Sequence, residues 1–146
     1  MEALERMDVH PKLITLTRAL YQNPTFKVEM DGDCSEWKKQ TTGPRQGCTL
    51  SPYLFLILMT VIFHDTHDDP ELEKILEEHR PPRHDVDEVL YADDTVIFST
   101  DTQATEKLLH KIETCSQKYG LNLNKNKCEA INTNENKPAL TFNNHT

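Results

Sequence analysis

Two stretches of the sequence combine residue types and spacings that can do chemistry. The first is Tyr91-Ala92-Asp93-Asp94, flanked by Val86, Val89 and Leu90 before it and by Thr95, Val96, Ile97 and Phe98 after it. Adjacent carboxylates at a hairpin tip repel each other. A hard cation relieves that repulsion, and Mg²⁺ takes carboxylate and phosphate oxygens together. An Asp-Asp pair is also ordinary turn chemistry. The β-branched and aromatic flanks on both sides make this turn the expected end of a core hairpin. The second stretch is Gly43-Pro44-Arg45-Gln46-Gly47-Cys48-Thr49-Leu50-Ser51-Pro52, a glycine-bounded loop that enters a helix. Such a loop lets backbone approach a ligand closely, with Arg45 suited to a phosphate and Gln46 to a base or sugar. By spacing alone it serves equally well as a strand-to-helix connector. A third cluster, His64, Asp65, His67, Asp68 and Asp69 with His79 and His84 beyond it, raises a metal-binding alternative. His64 and His67 are three apart, so they share a helix face and suit zinc. No third ligand is spaced to complete that site, and an acidic, solvated helix end accounts for the same residues.

The elements that must position these residues follow from periodicity. Met1 to Met7 reads as a short helix. A second begins at His10-Pro11, with Leu13, Leu16, Leu20 and Tyr21 as its apolar stripe, and ends at Asn23-Pro24. The period then changes to two: Phe26, Val28 and Met30 alternate with Lys27 and Glu29, which predicts a strand. Asp31-Gly32-Asp33 supplies a hairpin turn, and Ser35 to Thr42 returns as the partner strand with Trp37 on its apolar side. Ser51 is the expected N-cap, with Pro52 first in a helix that runs to about Thr66. That helix is apolar nearly all round, which predicts a buried central position.

An acidic helix from Glu71 to His79 follows Pro70, and Pro81-Pro82 breaks the chain. The Tyr91-Asp94 hairpin comes next. An amphipathic helix from about Gln103 to Tyr119 turns Leu108, Leu109, Ile112 and Cys115 inward and is closed by Gly120. A basic extended segment then carries Lys125 and Lys127. Ala139 to Phe142 is one more candidate strand. The order α, ββ, α, ββ, α, β predicts an α+β fold, antiparallel strands with helices packed on one face.

The 146 residues suit a single domain, and 36% hydrophobic with 27% charged residues exclude a disordered acidic tail. The longest apolar run, Tyr53 to Phe63, is shorter than a membrane span and contains Thr60. The charged N-terminus lacks a secretory core. Cys34, Cys48, Cys115 and Cys128 form no C-x-x-C pair and are expected as reduced thiols of an intracellular chain, nuclear or cytoplasmic. The net charge of −8 is concentrated between Ser51 and Asp101, where thirteen acidic residues face three basic ones. Such a chain is not an autonomous nucleic-acid binder, because replacing counterions on phosphates takes Lys and Arg.

Taken in order, GPRQGCTLSPYLF, LYADDTVIFS and GLNLNKNKCE resemble the palm of reverse transcriptases, and most closely those of LINE-type (non-LTR) retrotransposons. LYQNPTFKVEMDGDCSEW is similar to the segment before that family's Gln-Gly loop, so the resemblance covers roughly Met1 to Phe142. It implies an RNA-directed DNA polymerase palm over 1–146. Its parts would be the Gln-Gly loop and helix at 43–66, the YADD hairpin at 86–100, the lysine-bearing segment at 120–128 and a tail at 129–146. It implies catalytic roles for Asp93, Asp94 and Lys127, with Asp93 and Asp94 on Mg²⁺ and Lys127 near the departing pyrophosphate; Lys125 is the rival for that last role. Tyr91 and Ala92 would line the primer terminus. Gln46 and Gly47, with Arg45, would bind the incoming nucleotide and template base. The parent enzyme's partners would be an RNA template, a DNA primer and a deoxynucleotide, joined by two-metal nucleotidyl transfer.

The departure from the family is equally specific. Its metal site also takes an aspartate from an earlier strand, in a motif like F-x-x-A-F-D, and these 146 residues contain none. By register it would fall just before Met1. Fingers and thumb are also missing, and the tail stops where the primer-grip hairpin would begin. The expectation is an incomplete palm, inactive alone and weak or silent toward nucleic acid. A non-catalytic interaction fragment is the alternative.

Overall fold

The computed structural model describes residues 1–41, 43 and 47–133. Its helices are α1 (Glu2–Arg6), α2 (Pro11–Tyr21), α3 (Ser51–His67), α4 (Pro70–His79) and α5 (Thr102–Gln117). Its strands are β1 (Thr25–Phe26), β2 (Glu29–Met30), β3 (Asp33–Cys34), β4 (Lys38–Lys39), β5 (Glu88–Tyr91) and β6 (Asp94–Ile97). One 3₁₀ turn spans Lys125–Lys127. This is the expected α+β mixture. The strands, however, form three separate two-stranded antiparallel ribbons, β1 with β4, β2 with β3 and β5 with β6, and not one sheet among the described residues. The candidate strand Ala139–Phe142 lies outside the described residues. None of the described helices is long and apolar enough to cross a membrane.

The chain divides into two compact units, Met1–Val61 and Ile62–Thr146. In the first, α1 and α2 pack together. Pro11 opens α2, and the ring Nδ1 of His10 accepts the Lys12 N–H at 3.2 Å. The buried face of α2 is Ile14 and Thr17, while Leu13, Leu16 and Leu20 are 55%, 57% and 49% exposed, so the expected stripe points outward. Which face of a helix is covered depends on its neighbours, which period-3.6 counting does not contain. At the β2–β3 turn, Asp31 and Gly32 both have positive φ, 52° and 90°, as a two-residue type I′ hairpin requires. The ribbon is exposed on both faces, and Trp37 lies outside the two-residue strands with its ring uncovered. Of the expected partner strand 35–42, the described residues form only Lys38–Lys39, paired with Thr25–Phe26; the β2–β3 pairing lies before it.

Helix α3 starts at Ser51, one residue before the expected start; its first turn closes with the Leu54 N–H on the Leu50 carbonyl at 3.1 Å. Ser51 does not cap it: the buried Ser51 hydroxyl is bonded to the Tyr21 hydroxyl at 2.7 Å. Nor is α3 buried throughout. Val61, Ile62, Phe63 and Thr66 are buried, but Tyr53 and Leu56 are exposed.

In the second unit α4 packs on α5. Leu72, Leu76 and Leu108 form the core, with Ile97 of β6 and Ile112 against it. Asp69 caps α4 by accepting the Glu71 and Leu72 N–H groups, and Asp101 caps α5 by accepting the Ala104 N–H at 3.0 Å. Of the four residues expected inward on α5, Leu108 and Cys115 are buried, joined by Ala104. Leu109 and Ile112 are half-buried. Gly120, with φ 74°, ends the helical run: its N–H reaches the Gln117 carbonyl, and the Leu121 N–H reaches that of Ser116.

Candidate functional site

The Tyr91-Asp94 segment is a hairpin turn built by its own residues. The β5–β6 register pairs Glu88 with Ile97, Val89 with Val96, Leu90 with Thr95 and Tyr91 with Asp94. Ala92 and Asp93 are therefore the two-residue loop, and Asp94 is the first residue of β6. Sequence reasoning put both carboxylates at the tip; one is there and one is in the ladder beside it. Ala92 has φ 54°, a left-handed conformation that a Cβ disfavours. Asp93 and Asp94 are exposed, and among the described residues neither has a hydrogen-bond or ion-pair partner. Tyr91 is 81% exposed. The hairpin is not a core element either. Strand alternation puts Val89, Val96 and Phe98 on one face with Tyr91, and all are exposed. The opposite face reaches the core through Ile97.

A lone two-stranded hairpin is marginal in water, and this one is braced at its base. On the exit side, the Thr100 N–H and hydroxyl both donate to the carbonyl of His79, the last residue of α4, at 2.8 and 3.0 Å. The Phe98 N–H donates to the Asp87 carbonyl at 2.7 Å, which carries the ladder one step below Glu88. On the entry side, Arg80 is bonded in a fork to Asp87, whose side chain is almost fully buried. Arg80 also lies 3.7 Å from Glu73. Hydrogen bonds to Asp87 raise the Arg80 pKa, so this cation is permanent.

The third tie is His67. Its Nδ1 is 2.8 Å from Glu73 Oε2 and its Nε2 is 2.8 Å from Glu88 Oε1. Burial works against protonation of this ring, but the hydrogen bonds to Glu73 and Glu88 outweigh it and raise the pKa above 6.5. The metal alternative therefore loses its central ligand, since both ring nitrogens of His67 are engaged. Among the described residues, no group of three or more His, Cys, Asp or Glu side chains is arranged to hold a metal ion. Sequence reasoning missed Glu73, Arg80, Asp87, Glu88 and Thr100 as supports. Their contacts join residues from 6 to 21 positions apart, three of them across the Pro81-Pro82 break, so no local pattern marks them.

Arg45 and Gln46, with Thr42 and Pro44, lie outside the described residues. Gly47 has φ 77°, which favours glycine, and its Cα has open space around it. Just after it, Cys48 Sγ is 3.5 Å from the Tyr21 hydroxyl. That hydroxyl, the backbone of Leu50 and the Ser51 hydroxyl lower the Cys48 thiol to about 7. Lys125 and Lys127 lie on a 3₁₀ turn where an extended segment was expected. Lys125 is paired with Glu113 at 3.3 Å, whereas Lys127 is exposed, and neither is paired with Asp93 or Asp94.

Residues 1–142 match the family model described as reverse transcriptase (RNA-dependent DNA polymerase), so the chain belongs to the reverse transcriptase family. Among curated proteins it is similar to the retrovirus-related Pol polyprotein from type-1 retrotransposable element R2 of Nasonia vitripennis. It is 23% identical to that polyprotein over 131 residues, 90% of this chain. The expected LINE-type kinship stands, and the chain spans 12% of that relative's length. No solved structure matches it.

Proposed function

We propose that this chain carries the catalytic turn of a retrotransposon reverse transcriptase palm, with Asp93 and Asp94 as its share of a Mg²⁺ site. The observation that carries the reading is the pair of adjacent, exposed carboxylates, unpartnered among the described residues, on a hairpin fixed at its base. Two carboxylates suit Mg²⁺, which is commonly held by one or two protein carboxylates with substrate phosphates completing its shell. Held by Asp93 and Asp94, such a metal would supply charge stabilisation for an attacking primer hydroxyl and a leaving pyrophosphate. The residues of this chain hold the carboxylates in place and present Tyr91 and Ala92 beside them for the primer end. The Arg45-Gln46-Gly47 loop would contact the nucleotide and template base, and Lys127, or else Lys125, the pyrophosphate. Template RNA, DNA primer and deoxynucleotide are the partners of the whole polymerase, where the basic surfaces that grip them would lie.

These 146 residues contain no F-x-x-A-F-D-like strand to supply a further aspartate, so the chain by itself would not support efficient nucleotide addition. The test is a Mn²⁺ titration of the isotopically labelled chain, with a primer-extension assay alongside. Selective broadening at Asp93 and Asp94, lost in Asp93→Asn, is expected, with no extension product. Broadening scattered over the acidic surface would overturn the metal reading; extension that depends on Asp93 would overturn the inactivity. The rival reading, a non-catalytic interaction fragment, is favoured by exposed apolar residues such as Leu13, Leu16 and Leu20 of α2 and Val89, Val96 and Phe98 of the hairpin.

A further inference from the structure

The base of the β5–β6 hairpin holds five charges in one chain of contacts. Glu88 meets His67, His67 meets Glu73, Glu73 meets Arg80, and Arg80 meets Asp87, at 2.8, 2.8, 3.7 and 2.6 Å. The two ends, Asp87 and Glu88, are neighbours at the start of β5. Signs alternate along this chain only if His67 is an imidazolium. Chemistry requires the same: a neutral imidazole has one N–H, so it donates to one carboxylate and turns a lone pair toward the other. With both nitrogens 2.8 Å from carboxylate oxygens, only the doubly protonated ring donates to both. Glu88 has the most to lose. Its side chain is 15% exposed and, among the described residues, its second oxygen is buried without a hydrogen-bond partner, so the His67 contact compensates its charge.

We infer that His67 is a positioning residue for the Tyr91–Asp94 turn: its imidazolium pins Glu88, and with it the base of β5, to α3 and α4. This rests on the reading of that turn as a metal-binding one. Charged groups from every neighbouring element enter the account. Helix α4 supplies Glu73, with Arg80 behind it, and β5 supplies Glu88 and Asp87. On α3 itself, His64 and Asp65 form a loose pair at 4.0 Å. Lys111 of α5 is engaged by Asp69. When the ring loses its proton, one of its two hydrogen bonds goes and three carboxylates face a single guanidinium. A shift at Glu88 is passed along the β5–β6 ladder to Tyr91, about 10 Å on at ~3.3 Å per residue, where the two-residue turn begins.

The test follows the labelled 146-residue chain by NMR from about pH 5.5 to about pH 9, the range in which histidine titrates. The His67 ring nitrogens and the Tyr91–Asp94 amides are observed together. The expected result is a doubly protonated ring at neutral pH and turn amides that shift with the same midpoint as the ring. His67→Arg keeps a cation at every pH, so its turn amides should stay flat. Cys48 still titrates in that variant, so only shifts abolished by it belong to His67. Mn²⁺ broadening at Asp93 and Asp94 should weaken several-fold above the midpoint in the parent chain and persist in His67→Arg. Turn amides that ignore the His67 midpoint, or a singly protonated ring at neutral pH, would overturn the inference. If Mn²⁺ leaves the turn unaffected at every pH, the metal reading fails while the amide titration still decides the role of His67. If His67→Arg does not fold, the parent titration decides alone.

Discussion

The guanidinium of Arg80 holds both carboxylate oxygens of Asp87, Nε to Oδ1 at 2.9 Å and Nη2 to Oδ2 at 2.6 Å, across the Pro81-Pro82 break. The fork joins the end of α4 to the entry of β5, so the strand that leads to Asp93 is fixed to a helix. Arg80→Met keeps the stem and removes the charge, leaving Asp87 buried and unpaired. Because Arg80 is about a quarter exposed, a loss of about 2 kcal/mol is expected in place of the larger cost of a fully buried pair. Denaturant unfolding measures it; a loss within error would mean that the fork is ornamental.

Leu108 is fully buried between Leu72 and Leu76 of α4 and the hairpin residue Ile97. Leu108→Ala should cost about 3 kcal/mol through lost burial and the cavity it leaves. Amide exchange should accelerate in α4, α5 and β6 together, since they share this core. Faster exchange confined to α5 would contradict a common core.

Ala92 sits at φ 54° in the catalytic-turn candidate. Replacement by glycine removes the Cβ strain, worth about 1 kcal/mol against the added freedom of the unfolded chain. Thermal stability should therefore hold or rise, while Mn²⁺ binding at Asp93 should weaken as the turn loosens. Marked destabilisation would show that the alanine methyl has a packing role.

Cys48 is held near neutrality by the Tyr21 hydroxyl, the backbone of Leu50 and the Ser51 hydroxyl. Its alkylation rate should be half-maximal at about pH 7. Cys128 should lag, because burial raises its pKa. Tyr21→Phe removes the leading contributor and should move the Cys48 profile to higher pH. An unmoved profile would assign the effect to the helix start.

His67 gives stability a sign with pH. Its folded pKa is raised above 6.5, so its contribution is complete below that value and is lost as pH climbs through the folded pKa. The melting temperature should fall between about pH 6 and about pH 9, and fall less in His67→Arg. A rise over that interval would reverse the assignment.

The sequence by itself determined the helices, the two hairpin turns and the motif. Pro11, Pro70, Asp31-Gly32 and Gly120 set helix starts, a hairpin and a helix end through backbone restrictions that need no tertiary partner. The order of the three motifs carried the family, and the sequence placed Asp93 in a turn, though Asp94 belongs to the strand beside it. What tertiary structure decided is which faces are covered and what braces the turn. Leu13, Leu16 and Leu20 look like a core stripe, yet Ile14 and Thr17 are the buried face, because a helix's neighbours set its covered side. Ser51 looks like a cap, yet Tyr21, thirty residues earlier, takes its hydroxyl. His67 looks like a metal ligand, yet two glutamates on other elements hold its ring. Local signals arise from φ restrictions and periodicity within a few residues. Burial and charge pairing depend on contacts between distant residues, which only the folded chain brings together.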